Sequence, residues 1–317
     1  MPTYRNIHLI YNPSAGKLQR ANGRFIPRIQ EVLLAHGHHV KLTPTAAPGD
    51  ATRLARRAAD GDADLVLVAG GDGTINEALN GVVRSPTPLG IIPLGTGNVL
   101  GTELGLTGGP EKVTAELSEW EAERISVGRL EAAATKPRYF LLMAGVGLDA
   151  QIVVTVDPQL KKKLGKLAYW LGGLGQLGRH FPEFLVSAAG ESWPSSFTLV
   201  SRVRNYGGDI EIARNACLLD DYFEMVAFQG KESFRYLKYF TGVLANLLDR
   251  MEGVVIRKVR RLEFTTLGPD DIFVQVDGEP AGHLPATVEI VPDALTLLMP
   301  AAFRRRFAPG QENDRLA

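Results

Sequence analysis

Apolar and polar positions change rhythm about a third of the way along the chain. Residues 7–11 form a short apolar strand that runs into Asn12-Pro13-Ser14-Ala15-Gly16. Residues 24–35 place Ile26, Ile29, Leu33 and Leu34 at helical spacing, which predicts an amphipathic helix buried on that side. A short strand over 40–43, a helix over 49–59 and an unbroken apolar strand over 64–69 follow. A further strand over 89–94 enters Gly95-Thr96-Gly97-Asn98 and another helix. Strands alternating with helices predict a parallel sheet covered on both faces. Ligands on such sheets collect at the carboxyl ends of the strands. The three loops of small residues after three of these strands are therefore expected to line one crevice.

Near Glu123 the helical periodicity gives way to strand-like segments at 125–130, 139–144, 197–203, 223–228, 254–265, 272–276 and 295–299. Two helical insertions are expected, over 158–177 and 234–248. The reading is a two-domain chain: an α/β domain over 1–123, a β-rich sandwich-like domain over 124–300, and a tail over 301–317 that returns to the first domain.

With 317 residues, the chain is long enough for more than one core. Apolar residues make up 45% and charged residues 22%, an ordinary globular composition. Lys plus Arg and Asp plus Glu number 35 each, so no overall field points to nucleic acid. The single cysteine, Cys217, excludes an internal disulfide and a cysteine-based zinc site. The N-terminus lacks the long apolar core of a signal peptide. Residues 85–102 carry no charge, but Pro86, Pro88, Pro93 and four glycines break them, so they do not form a membrane span. A cytoplasmic protein is expected, with membrane contact at most peripheral.

Candidate chemistry centres on Gly70-Gly71-Asp72-Gly73-Thr74, between the 64–69 strand and a helix expected to open at Ile75. Glycines let the main chain approach a ligand, and a helix N-terminus offers N–H groups and a positive dipole end to phosphate. Thr74 and Glu77 have the spacing of a capping box. Asp72 is the unusual member. An acid in a phosphate cradle repels its ligand unless it holds a metal or takes a proton from an attacking hydroxyl. There is no Gly-x-x-x-x-Gly-Lys-Ser/Thr and no Gly-x-Gly-x-x-Gly after the first strand, which excludes a P-loop protein and argues against an ordinary dinucleotide-binding dehydrogenase.

Taken in order, Asn-Pro-x-x-Gly, Gly-Gly-Asp-Gly-Thr-x-Asn-Glu, Pro-Leu-Gly-Thr-Gly-Asn, Gly145-Val146-Gly147-Leu148-Asp149 and Val276-Asp277-Gly278-Glu279 resemble the catalytic domain of diacylglycerol kinases and the related sphingosine, ceramide and bacterial lipid kinases. The resemblance spans nearly the whole chain. It implies an N-terminal domain similar to that of NAD kinases and phosphofructokinases, a β-sandwich-like second domain, and a nucleotide between them. It also implies ATP, Mg2+ and transfer of the γ-phosphoryl group to a lipid hydroxyl. An NAD kinase shares the Gly-Gly-Asp-Gly-Thr loop and is the alternative enzyme. A non-catalytic nucleotide- or lipid-binding protein on the same scaffold is the alternative of another class. Position by position, the resemblance assigns Asn12, Pro13, Ser14, Ala15, Gly16, Thr45, Gly70, Gly71, Asp72, Gly73, Thr74, Ile75, Asn76 and Thr96 to the nucleotide. It gives two acids, Glu279 and Asp72, the role of proton acceptor, and the residues do not choose between them. Asp277-Gly278 also reads as a hairpin turn.

By the same resemblance, a structural Mg2+ would be held by the Asp220 carboxylate and the main-chain oxygens of Cys217 and Tyr222. Here Asp221 stands where relatives carry glycine. Lys161, Lys162, Lys163 and Lys166, interleaved with leucines and Trp170, suit an anionic membrane surface, with Arg304-Arg305-Arg306 as a secondary basic patch. His36, His38 and His39 lie at a helix end without metal-triad spacing. The expected partners are a lipid substrate and, at its periphery, a membrane; a homodimer is left open.

Overall fold

The computed structural model describes residues 3–133, 135–148, 150–151, 181–206 and 210–307. The expected helix over 158–177, with its lysines, and Asp149 lie outside them. The chain divides into two units, one running to Val127 and resuming at Pro292, the other comprising Gly128–Val291.

The first unit holds a parallel sheet of β1 (Asn6–Tyr11), β2 (His39–Pro44), β3 (Leu65–Gly70), β4 (Leu89–Pro93) and the end of the last strand of the chain (Glu279–Pro300). Its order is last strand, β4, β3, β1, β2, with Leu89 opposite both Leu297 and Val66, and Ile7 opposite both Leu65 and Val40. Every residue of β3 and β4 is buried, as expected of parallel strands covered on both faces. From β1 the chain moves outward to β2, then crosses back to β3 and on to β4. The direction of winding therefore reverses between β1 and β3, the place where open α/β sheets leave a crevice at their carboxyl ends.

Helices α1 (Gly16–Arg20), α2 (Phe25–Ala35), α3 (Asp50–Ala59), α4 (Asp72–Val82), α5 (Val99–Glu103) and α6 (Pro110–Ala115) connect these strands. Helix α2 buries Ile26, Ile29 and Leu33, whereas Leu34, expected on the same side, is exposed. Helices α3 and α4 pack closely because small residues meet: Ala51, Ala55 and Ala58 are buried, and a Cβ on Gly81 would lie 2.4 Å from the Thr52 carbonyl oxygen.

The second unit is antiparallel. One ladder joins β7 (Met143–Gly147), β10 (Phe197–Ser201), β13 (Phe223–Phe228), β14 (Val254–Val259), β16 (Phe273–Val276) and the start of β17 (Glu279–Pro300), in the order β14-β13-β10-β7-β16-β17. The other joins β17 to β15 (Arg261–Thr266), β8 (Phe184–Ala188) and β9 (Glu191–Ser195). Strand β17 belongs to both, pairing with β16 at 279–283 and with β15 at 286–289. Val146, Val200, Met225 and Val274 from the first ladder and Phe184, Val186, Phe264 and Val288 from the second share one core, which makes the unit sandwich-like. The expected strand over 125–130 lies within β5 (Trp120–Ala133), that over 139–144 is broken into β6 (Arg138–Phe140) and β7, and that over 254–265 into β14 and β15, while β11 (Asn205–Tyr206) and β12 (Ile210–Glu211) pair only with each other. Helix α7 (Ser233–Leu244) takes the place of the expected 234–248 helix, and α8 (Ala301–Arg306) ends the described chain.

Candidate active site

Three loops meet at the carboxyl ends of β1, β3 and β4. Asn12, which follows β1, turns back on itself, its Oδ1 accepting from the Ser14 N–H at 2.8 Å. Its Nδ2 donates to Thr74 Oγ1 at 3.1 Å and its N–H to the Ala69 carbonyl, fastening the first loop to the second. Lys17, just inside α1, donates its N–H to the Leu94 carbonyl at 3.0 Å, and the Leu94 N–H reaches the Gly70 carbonyl at 2.8 Å. The first and second loops are thereby tied to the third.

Two glycine contacts require the missing side chains. A Cβ on Gly95 would lie 2.5 Å from Gly71 Cα, and one on Gly16 would lie 2.8 Å from Thr96 Oγ1. The main chains of the second and third loops thus touch directly.

Helix α4 begins at Asp72, three residues earlier than the sequence predicts, with Gly71 as N-cap and no side-chain cap. The expected capping box is not made. The Glu77 carboxylate accepts instead from the Ala51 N–H at the start of α3, at 3.1 Å, while Thr52 Oγ1 donates to the Glu77 carbonyl at 2.7 Å. A first turn without a side-chain cap leaves N–H groups directed at an incoming anion.

Asp72 faces the other way. Its two carboxylate oxygens accept from the Val99 and Leu100 N–H groups at 3.1 and 3.3 Å. It caps α5, whose N-cap, Asn98, sits in the left-handed region that asparagine tolerates (φ 51°). Of the residues expected at the nucleotide, Ala15, Gly70, Thr74, Ile75 and Asn76 are buried, whereas Asn12, Pro13, Ser14, Gly16, Thr45, Gly71, Asp72, Gly73 and Thr96 face solvent in part or in full. Thr45 is fixed by its own N–H to the Tyr11 carbonyl at 2.9 Å, beside the loop after β1. The loop from Thr45 to α3 is held by Asp50. Arg53, and then the Ala46 and Ala47 N–H groups, keep its carboxyl below the usual carboxylate range.

In the second unit, Asp277-Gly278 forms the two-residue turn between β16 and β17, with φ of 49° and 81° and Val276 opposite Glu279. The Asp277 carboxylate accepts from the N–H groups of Leu141, Leu142 and Met143 at 3.0–3.1 Å, and its own N–H returns to the Met143 carbonyl. Sequence reasoning had only the Asp-Gly pair as a signal and missed this anchor. Glu279 follows the turn, half-buried, and none of the hydrogen bonds and ion pairs described above involves its carboxylate.

The expected metal ligands are neighbours. Asp220 donates its N–H to the Cys217 carbonyl at 3.1 Å, and the Tyr222 hydroxyl hydrogen-bonds the Asp220 side chain. No cluster of three or more His, Cys, Asp or Glu side chains able to hold a metal occurs among the described residues. Arg304 is spent on Glu121 and Glu123 at 2.5 and 2.6 Å. His36 and His38 turn to the Val32 and Tyr4 carbonyls. Among the described residues, no helix is long and apolar enough to cross a membrane.

Residues 6–130 match the family model of the diacylglycerol kinase catalytic domain, and residues 143–299 that of the YegS C-terminal NAD kinase beta sandwich-like domain. Among curated relatives, the chain is 28% identical over 291 residues to a Bacillus subtilis diacylglycerol kinase, covering 89% of this chain and 92% of that one. It is 29% identical over 314 residues to a Mycobacterium tuberculosis diacylglycerol kinase, covering 90% and 99%. The crystal structure of a diacylglycerol kinase from Bacillus anthracis superposes with a TM-score of 0.75 at 22% identity, covering 95% of this chain and 99% of the other, a likeness of fold.

Proposed function

We propose that the chain, whose residues 6–130 and 143–299 match the two domains of diacylglycerol kinase-like proteins, transfers the γ-phosphoryl group of ATP to the hydroxyl of a diacylglycerol-like lipid. The observation that carries this reading is the junction of the three loops at the reversal between β1 and β3, where the Gly71 and Gly95 main chains touch and the first turn of α4 has no side-chain cap. Such a junction offers phosphate N–H groups and glycines, beside Lys17, whose Nζ lies 3.5 Å from the Pro93 carbonyl.

Phosphoryl transfer asks the protein for positioning and charge neutralisation more than covalent help. The loops at 12–16, 70–74 and 95–98 supply positioning. Mg2+, when bound with the nucleotide, supplies charge neutralisation at the phosphate oxygens. As the lipid oxygen bonds to the γ-phosphorus and the bond to the β–γ bridging oxygen breaks, the hydroxyl proton must leave. Glu279 is the acceptor proposed here. Its rival, Asp72, already spends both carboxylate oxygens on α5, so its role is to join the second loop to the third.

The test is to incubate the protein with magnesium, ATP and mixed micelles, then analyse the extract by mass spectrometry. A diacylglycerol carrying one added phosphate is expected. Modification of NAD instead, or of no acceptor among diacylglycerol, sphingoid base, ceramide and phosphatidylglycerol, contradicts the proposal.

A further inference from the structure

Helix α7 is apolar on two sides, and one of them is enough to hold it. On the inner side Tyr239 and Val243 are buried. The Tyr236 ring meets Phe181 edge-on, with centroids 5.2 Å apart, and its hydroxyl pairs with Ser196 Oγ at 2.6 Å. The Phe228 and Tyr239 rings lie 5.3 Å apart, and the Tyr239 hydroxyl donates to the Gln229 carbonyl at 2.8 Å. A Cβ on Gly242 would lie 2.0 Å from Met251 Sδ, so the helix sits directly against Met251.

The outer side carries Leu237, Phe240 and Leu244, at i, i+3 and i+7, which is one row along a helix. Leu237 is 51% exposed and Leu244 60%, with Phe240 half-buried between them. A Schellman turn ends the helix: Asn246, at φ 56°, donates its N–H to the Val243 carbonyl, and Leu247 donates to the Gly242 carbonyl. The chain thus folds back over the last turn, where Leu247 is 44% exposed. A lone exposed leucine, such as Leu34 or Leu267, needs no explanation. Leu237, Leu244 and Leu247, on one short helix and its cap, are concentrated enough to mark a contact surface.

Charge selects what covers it. From Ser233 to Leu248 the only charged residues are Arg235 and Lys238, and both are exposed. Arg235 also hydrogen-bonds the neutral Tyr239 hydroxyl. Acids begin only outside the helix, at Glu232 and Asp249. The flanking Lys231 and Arg250 are turned to Glu183 and Asp249, at 3.3 and 3.9 Å. An apolar row with cations and no acid on the same helix matches the boundary of an anionic bilayer. Leucines enter the acyl region there, and long basic side chains reach back to the phosphates. With 12 residues, α7 is too short to cross a bilayer and would lie along it. We propose that the Leu237, Leu244 and Leu247 face of α7 docks the protein on an anionic lipid surface. The choice of a bilayer over a second copy of this chain rests on that charge and on the lipid kinase reading, whose acceptor is a membrane lipid. Neither basic run seen in the sequence, at 161–166 or 304–306, includes this face.

The experiment is flotation of the full chain with vesicles of phosphatidylcholine, with and without phosphatidylglycerol. It compares the wild type, the double variant Leu237→Ser with Leu244→Ser, and Lys238→Glu. The wild type is expected to float with the anionic vesicles. The double variant is expected to bind them about tenfold or more weakly, through the loss of two leucines. Lys238→Glu is expected to weaken that binding about tenfold, an effect that added salt reduces. Wild type left in solution by anionic vesicles overturns the proposal, as does either variant floating as the wild type does. So does a wild-type dimer in light scattering that the double variant converts to a monomer, which would give the face to a second copy. If the double variant does not fold, Lys238→Glu decides. Phosphate transfer to a dissolved short-chain diacylglycerol is measured separately and is expected to be equal in the wild type and the double variant. Flotation as expected with no transfer contradicts the kinase reading alone; transfer without flotation contradicts the docking surface alone.

Discussion

Asp72, Glu279 and Asp277 are three acids in small-residue loops, and their surroundings give them different work. Asp72 caps a helix across two loops, Asp277 gathers three successive N–H groups, and the Glu279 carboxylate is engaged by neither arrangement. Glu279→Gln is therefore expected to lower kcat by about 10²–10⁴-fold with little change in Tm, measured by steady-state kinetics and calorimetry. Asp72→Asn, which keeps an acceptor for one N–H, is expected to fall short of the ~10²-fold loss of a general base, and to raise the nucleotide KM instead. Asp277→Ala removes the acceptor of three N–H groups and is expected to cost about 1–3 kcal/mol in denaturant unfolding. The sequence marked Asp72 as an acid inside a glycine loop, and the resemblance to lipid kinases made Glu279 and Asp72 rival proton acceptors. It could not rank them, because the partners that occupy Asp72 lie 27 and 28 positions away. Likewise, Glu77 has the spacing for a capping box, but its carboxylate caps a neighbouring helix that only tertiary packing brings near.

Between elements, what matters is how closely the loops approach. Gly95→Ala would drive a Cβ into Gly71 Cα, and the third loop would have to move. A stability loss of about 1–3 kcal/mol is expected, with weakened nucleotide binding by calorimetric titration. The 45–50 loop adds a pH dependence. The Asp50 carboxyl is lowered in the fold, so its contribution is present above its unfolded pKa of ~4 and is lost as pH falls through the folded value. Wild-type Tm is expected to fall more steeply than that of Asp50→Asn in this acid range. Strands β1, β3 and β4 were legible because each is a short apolar run ending in a glycine- or proline-containing loop. Strands β8 and β9 were not, because Glu191-Ser192-Trp193-Pro194-Ser195 carries no apolar alternation and forms a strand by pairing with Phe184–Ala188. Pro280, Gly282, Pro285 and Pro292 hid the length of β17, which keeps strand geometry by serving β16, β15 and β4 in turn.

For the molecule as a whole, the sequence separated an α/β part from a β-rich part by the change of rhythm near Glu123. The packing is less linear, since the chain returns to the first unit at Pro292. No local signal marks that return. Residues 295–299 read only as another strand, and their parallel partner, β4, was made some two hundred positions earlier. The three small-residue loops belong to the first unit and Glu279 to the second. The most direct test is transfer of the labelled γ-phosphate of ATP to diacylglycerol in mixed micelles with magnesium, comparing the wild type with Glu279→Gln. The account predicts labelled phosphatidic acid from the wild type and about a hundredth or less from the variant, at equal folding. Equal label from both proteins, or none from the wild type, would contradict it.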